Sequence, residues 1–180
     1  MDPIGAPLRL KTMNLLRIFL LTLCLALLTA PPDVDAARRP YRWPLQPRPQ
    51  VVTPYDPPAQ RWQSGHRGVD LAAAVGSPVL AAGSGTVNFA GDVGGKPVVS
   101  IRHADGLLTT YEPVEASVRA GQTVARGEVI GRLAAGHDGC PSACLHWGAR
   151  RGAGSSAQYV NPLSLVGAVR VRLKPVQPVS

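Results

Sequence analysis

Aromatic side chains are scarce in this chain: Phe, Trp and Tyr together supply 5% of its 180 residues. Gly and Pro, at 19 and 18, are plentiful instead. That balance argues against a helical bundle and for a compact, β-rich domain with many tight turns. Acidic residues are few, 11 against 19 basic ones, for a formal charge of +8 carried almost wholly by arginine. No basic block and no basic patch interleaved with aromatics accompanies that charge, so nucleic acid is excluded as a partner. Cysteine is limited to three residues. There is one long apolar run, and the length leaves room for one ordinary domain with tails.

That run, "IFLLTLCLALL" (Ile18–Leu28), follows a basic stretch containing Arg9, Lys11 and Arg17 and precedes the small residues of "VDA" (Val34–Ala36). The pattern predicts a cleaved signal peptide over residues 1–37, too short in its apolar part to span a bilayer comfortably. Leu23 before Cys24 speaks against lipidation there. The expected product is exported, with no stable membrane anchor after cleavage, and its location is secreted or in the cell wall. A basic exported protein commonly meets a polyanion, of which the bacterial wall is one. Residues 38–64 hold seven prolines and no sustained period, and are expected to be an extended linker, pinned in places by Trp43, Val51, Val52 and Tyr55. The domain is expected over 65–167, with 168–180 a tail.

Within the domain, short β-branched segments bounded by glycine recur at Ser77–Gly91, Lys96–His103, Leu107–Val114, Gln122–Leu133 and Cys144–Arg150. Their spacing predicts an all-β sandwich or barrel, with "ADG" (Ala104–Gly106) as a hairpin turn. "GSPVLAAGSGTV" (Gly76–Val87) and "GQTVARGEVIGRL" (Gly121–Leu133) form a weak internal repeat, two units able to pack into one sandwich.

Three residues stand out chemically. In "GHRGVD", His66 precedes Asp70 by four positions. On a straight strand their side chains would lie about 13 Å apart, so joint action requires His66 to sit on a loop that folds back, with Gly68 permitting the bend. In "CLHWG", Cys144 and His146 share one strand face and Leu145 points to the core. His66, Asp70 and His146 would give a three-ligand zinc site with an open fourth position, the arrangement of a catalytic rather than a structural centre. Taken singly, each motif also suits a turn hydrogen bond or an ordinary sheet histidine.

Taken together, "GHRGVDLAAAVGSPVLAAGSGTVNFAG", "VVSIRHADGLLTTY", "VRAGQTVARGEVIG" and "CLHWG" resemble the lysostaphin-type (LytM-like) zinc endopeptidases of bacterial cell walls, and the proline-rich lead-in looks actinobacterial. The resemblance implies a duplicated hybrid motif, a flattened β-sandwich of short antiparallel strands, with zinc on His66, Asp70 and His146 and peptidoglycan peptide as partner. It also exposes two departures. Pro113 and Cys144 stand where the family carries two non-ligand histidines that activate the metal-bound water and stabilise the tetrahedral intermediate. Losing both roles is expected to cost about 10⁴-fold or more in rate. Glu112 and His137 are candidate substitutes, although alternation from Pro113 turns Glu112 to the opposite face unless the register shifts. His103 matches a family histidine that is not a ligand.

Cys140 and Cys144 admit three arrangements: a disulfide, favoured by export; a fourth zinc ligand at Cys144, closing the site; or a free thiol pair. Two functions follow. One is a zinc peptidase of the wall, weakened by its missing histidines. The other is a zinc-containing binding protein that engages wall peptide, or a wall hydrolase or its regulator. A biotinyl or lipoyl carrier is disfavoured by the export signal and by the lack of a lysine at the exposed hairpin.

Overall fold

The computed structural model describes residues 39–169 apart from 61, 138, 141 and 142. The expected signal segment and nearly all of the expected tail lie outside the described residues.

Eleven antiparallel strands form two sheets, and no α-helix occurs among the described residues. In chain order the strands are β1 (Val51–Thr53), β2 (Gly68–Ala72), β3 (Pro78–Leu80), β4 (Gly85–Val93), β5 (Lys96–His103) and β6 (Leu108–Glu112). They continue with β7 (Val114–Ala116), β8 (Thr123–Val124), β9 (Val129–Leu133), β10 (Cys144–Arg151) and β11 (Gln158–Tyr159). The large sheet runs β1-β2-β10-β6-β5-β4-β8, with β11 on the far end of β10, and the small sheet runs β3-β9-β7. This is the all-β sandwich expected from the sequence. Between the layers lie Trp147, Tyr111, Leu71, Ile101, Ile130, Leu133 and Leu145, all but inaccessible to water. Each large apolar side chain so buried contributes about 1.5–3 kcal/mol.

The internal repeat has a structural counterpart. β3 and β8 open the two units, and β4 and β9 follow them. The units pair crosswise, β3 with β9 and β4 with β8. Their turns match as well. Gly76 donates its N–H to Leu133 at 2.8 Å, and Gly121 donates to Val87 at 2.8 Å. Both glycines have positive φ, 82° and 84°, where a Cβ would be strained. Neither unit can complete a sheet alone.

The chain changes sheets at Pro113. Glu112, the last residue of β6, pairs with His146, whereas Val114, the first of β7, pairs with Leu133 in the other sheet. Proline has no N–H to give to a ladder, so this position tolerates the break.

Residues 39–64 depart from the expected linker. Tyr41 and Leu45 are buried in the main core. Arg42 donates its backbone N–H to Ala82, and Leu80 donates to Pro44, each at 2.8 Å. β1 pairs with β2 at the edge of the large sheet. Proline richness correctly argues against a central strand, but it leaves room for an arm that bonds through carbonyls and packs through its few large side chains.

Candidate metal centre

β2 and β10 run antiparallel with Asp70 opposite His146, and on the far side of β10 His146 stands opposite Glu112. Directly opposed residues on antiparallel strands share a face. The three side chains therefore project together from three adjacent strands. Glu112 corrects the expectation drawn from alternation. Alternation counted back from position 113 fails because the strand ends there and the chain leaves the sheet.

His66 reaches this face from the segment before β2. A backbone bridge to Asp56 holds it, with Asp56 N–H to His66 O at 3.0 Å and His66 N–H to Asp56 O at 2.7 Å. The fold-back required by the His66–Asp70 spacing is thus present. Gly68 acts differently from the expected bend. A Cβ there would stand 2.6 Å from His146 Nε2 and 2.6 Å from the Trp147 carbonyl oxygen. The glycine gives the imidazole clearance over the β2 backbone.

Three atoms converge. His66 Nε2 lies 3.1 Å from Asp70 Oδ1 and 3.1 Å from His146 Nδ1, and His146 Nδ1 lies 3.0 Å from Asp70 Oδ1. His66 Nδ1 donates to the Pro54 carbonyl at 2.7 Å, which fixes the proton on that nitrogen and leaves Nε2 with a bare lone pair. Asp70 Oδ1 offers only lone pairs as well. One proton on His146 Nδ1 cannot satisfy both neighbours fully, and between His66 Nε2 and Asp70 Oδ1 only lone pairs meet. A cation resolves this. Donors about 2.0–2.2 Å from a tetrahedral zinc stand roughly 3.3 Å from one another, close to the spacing found. His66, Asp70 and His146 thus fit a metal ion.

His137 also arrives here. Its Nε2 lies 3.1 Å from Asp70 Oδ1, its ring centre lies 5.4 Å from that of His146, and its Nδ1 points towards Glu112 Oε1 at 3.9 Å. Lys96 Nζ approaches the same Glu112 oxygen at 3.8 Å. Burial alone would push the Asp70 carboxyl up. Hydrogen bonds from His137, His146 and Thr53 oppose this, and together they hold it far below the ordinary carboxylate range.

Cys140 and Cys144 are joined as a disulfide with their Cα atoms 6.1 Å apart, within the ordinary range for such a bridge. Of the three arrangements open in the sequence, this is the one present. It ties the His137 loop to the first residue of β10. Pro113, at the sheet change, offers no side-chain donor or acceptor. His103 stands apart, in the buried interior. Sequence reasoning missed three contributors: the Pro54 carbonyl, Thr53 and Lys96. Only pairing of the proline-rich arm with β2 brings the first two near the site, and no local motif signals that pairing.

Comparison with known proteins accords with this geometry. The profile of Peptidase family M23 matches residues 64–162. An uncharacterised protein of Mycobacterium tuberculosis is 52% identical over 168 residues, covering 92% of this chain and 67% of that protein. The DD-carboxypeptidase/endopeptidase Mpg of Neisseria meningitidis is 40% identical over 102 residues, 56% of this chain and 22% of its own length. Among solved structures, a chain of the SpoIIQ–SpoIIIAH pore-forming complex aligns with a TM-score of 0.60 and 26% identity, over 71% of this chain and 90% of that one. The resemblance read from the four sequence blocks and the matched profile agree, and the chain belongs to Peptidase family M23.

Proposed function

We propose that this chain is an exported zinc peptidase that cuts peptide bonds in peptidoglycan, with His66, Asp70 and His146 as metal ligands and His137 supplying the proton transfer that Pro113 and Cys144 cannot. The observation that carries the reading is the convergence of His66 Nε2, Asp70 Oδ1 and His146 Nδ1 at 3.0–3.1 Å. Zinc held there would polarise a scissile carbonyl and lower the pKa of a water in its open position. His137 enters the site from the loop before β10 with its Nε2 3.1 Å from Asp70 Oδ1, and its buried Nδ1, which has no hydrogen-bond partner, stands 3.9 Å from Glu112 Oε1. A hollow of about 520 Å³ is lined by Ala72, Ala73, Ala74, Val75 and Ala143, and Ala72 follows Asp70 by two on β2. Its small apolar lining suits a peptide with short side chains, such as the alanine-containing peptides of the wall.

The test is digestion of isolated peptidoglycan by the purified chain, with and without added zinc. New amino termini should appear, and both a chelator and His66→Ala should abolish them. Intact peptidoglycan under zinc-replete conditions would reject the hydrolytic reading.

A second reading has one observation in its favour: a proline and a disulfide-bonded cysteine occupy the two positions where resemblance to the family calls for histidines. Under it the same face binds wall peptide or a wall hydrolase without cutting. A structural neighbour that works within a pore-forming complex is a precedent for the fold serving in an assembly. Binding of peptidoglycan with no hydrolysis, lost in Asp70→Ala, would establish it.

A further inference from the structure

The loop that delivers His137 carries a second donor set, of which the peptidase reading uses Asp70 and His137 but neither sulfur. The sulfurs of Cys140 and Cys144, a ring nitrogen of His137 and a carboxylate oxygen of Asp70 all lie within 4.8 Å of one another. Asp70 and Cys144 are buried, and His137 and Cys140 are partly so. Two thiolates, an imidazole and a carboxylate are donors that tetrahedral zinc accepts, and thiolates bind soft and borderline cations more strongly than nitrogen or oxygen alone. No lengthy rearrangement is needed to gather them, because the disulfide already holds the two sulfurs beside the histidine and the carboxylate. While the sulfurs are bonded to each other, neither is a thiolate, and the set is closed to metal.

We propose that reducing the Cys140–Cys144 disulfide opens a second metal site made of His137, Cys140, Cys144 and Asp70, and that filling it takes Asp70 and His137 away from the centre built on His66 and His146. The chemistry balances with a dithiol as reductant. The dithiol is oxidised to its own disulfide and passes two electrons and two protons to the cysteine pair. A divalent cation then displaces the two thiol protons and binds two thiolates. Asp70 is the hinge of the device, since it belongs to both donor sets. The bridge therefore does more than tether a loop: it protects the open three-ligand centre from a competing, fully coordinated one.

The experiment uses Co²⁺ alone as the probe, because thiolate ligation gives cobalt an intense charge-transfer absorption that nitrogen and oxygen ligands do not. The purified chain is reduced with a dithiol, freed of it anaerobically and titrated beside the oxidised chain, with thiol counts confirming each state. The thiolate band is expected only after reduction, saturating at one thiolate-bound cobalt per chain. It should vanish in Cys140→Ser/Cys144→Ser and persist in His66→Ala. His137→Ala and Asp70→Asn should each weaken that binding by at least about tenfold, as loss of a designed metal partner does. A reduced chain with two free thiols and no band overturns the proposal. So does a band of unchanged affinity in His137→Ala and Asp70→Asn, which would mean that the dithiol binds metal by itself. The readout involves no peptide, so it stands or falls apart from the hydrolytic reading.

Discussion

Two histidine environments in this domain use the same residue to opposite ends. At His103 every polar atom has one defined partner. Nδ1 donates to the Ser84 carbonyl at 2.9 Å, and Nε2 accepts from Thr109 Oγ1 at 2.8 Å. Thr109 in turn accepts from Tyr111 Oη at 2.9 Å, and that oxygen accepts from the Ala82 N–H at 2.9 Å. The chain of donors runs one way and closes without a charge. Around Asp70, by contrast, three histidines crowd one carboxylate oxygen, and His66 Nε2 turns a bare lone pair on it. A closed network specifies packing, and an overcrowded one asks for a cation. Counting histidines in the sequence cannot separate the two cases. Counting protons at each nitrogen can.

The sharpest way to break the contrast is to remove a ligand. His66→Ala, Asp70→Ala or His146→Ala should each abolish stoichiometric zinc, measured by metal analysis, together with any peptidase activity. His103→Ala should leave zinc content unchanged. The next effect separates holding a metal from using it. His137→Ala should lower peptidoglycan hydrolysis by about 10²-fold while zinc stays bound, the loss expected for one proton-transfer residue. A fall in zinc content parallel to the fall in rate would instead make His137 a ligand-positioning residue. Gly68→Ala should weaken zinc binding by about tenfold, because the added methyl displaces the His146 ring. A zinc titration with the same affinity as wild type would contradict the clearance role.

Smaller effects lie on the His103 side. His103→Ala strands Ser84 and Thr109 and should cost about 1–3 kcal/mol in urea unfolding. Burial, outweighing the Ser84 hydrogen bond, lowers the His103 pKa from its usual 6.5. The unfolded chain therefore takes up a proton that the native one refuses, and stability should decline as pH falls below about 6.5, with no effect above it. His103→Gln should flatten that slope relative to wild type, measured as unfolding midpoint against pH.

Much of this architecture is legible in the residues. Glycine-bounded, β-branched segments mark the strands, and the paired glycines Gly76 and Gly121 mark equivalent turns of the repeat. His66, Asp70 and His146 are legible because a short fold-back and an alternating strand are local patterns. Glu112 is less legible, because strand alternation holds only inside a strand and Pro113 ends this one. His137 could be named as a candidate and no more, since a loop's return path is set by tertiary contacts and here by a disulfide. The proline-rich arm is hard to read for a related reason. Proline predicts poor ladder donation but says nothing of Tyr41 and Leu45 as core residues or of Pro54 as an acceptor.

The position of β10 has a kinetic consequence. Among the described residues it is the last long strand to be synthesised, yet it lies inside the large sheet, between β2 and β6. Until it arrives, β2 and β6 have no common partner, and Asp70 and His146, 76 residues apart in the chain, cannot meet. The crosswise repeat delays closure further, because its first half finds partners only in its second. Contacts so distant in sequence make for slow and cooperative folding. A nascent chain ending anywhere before Cys144 cannot set His146 opposite Asp70, so the candidate donor trio comes together only once β10 has been made.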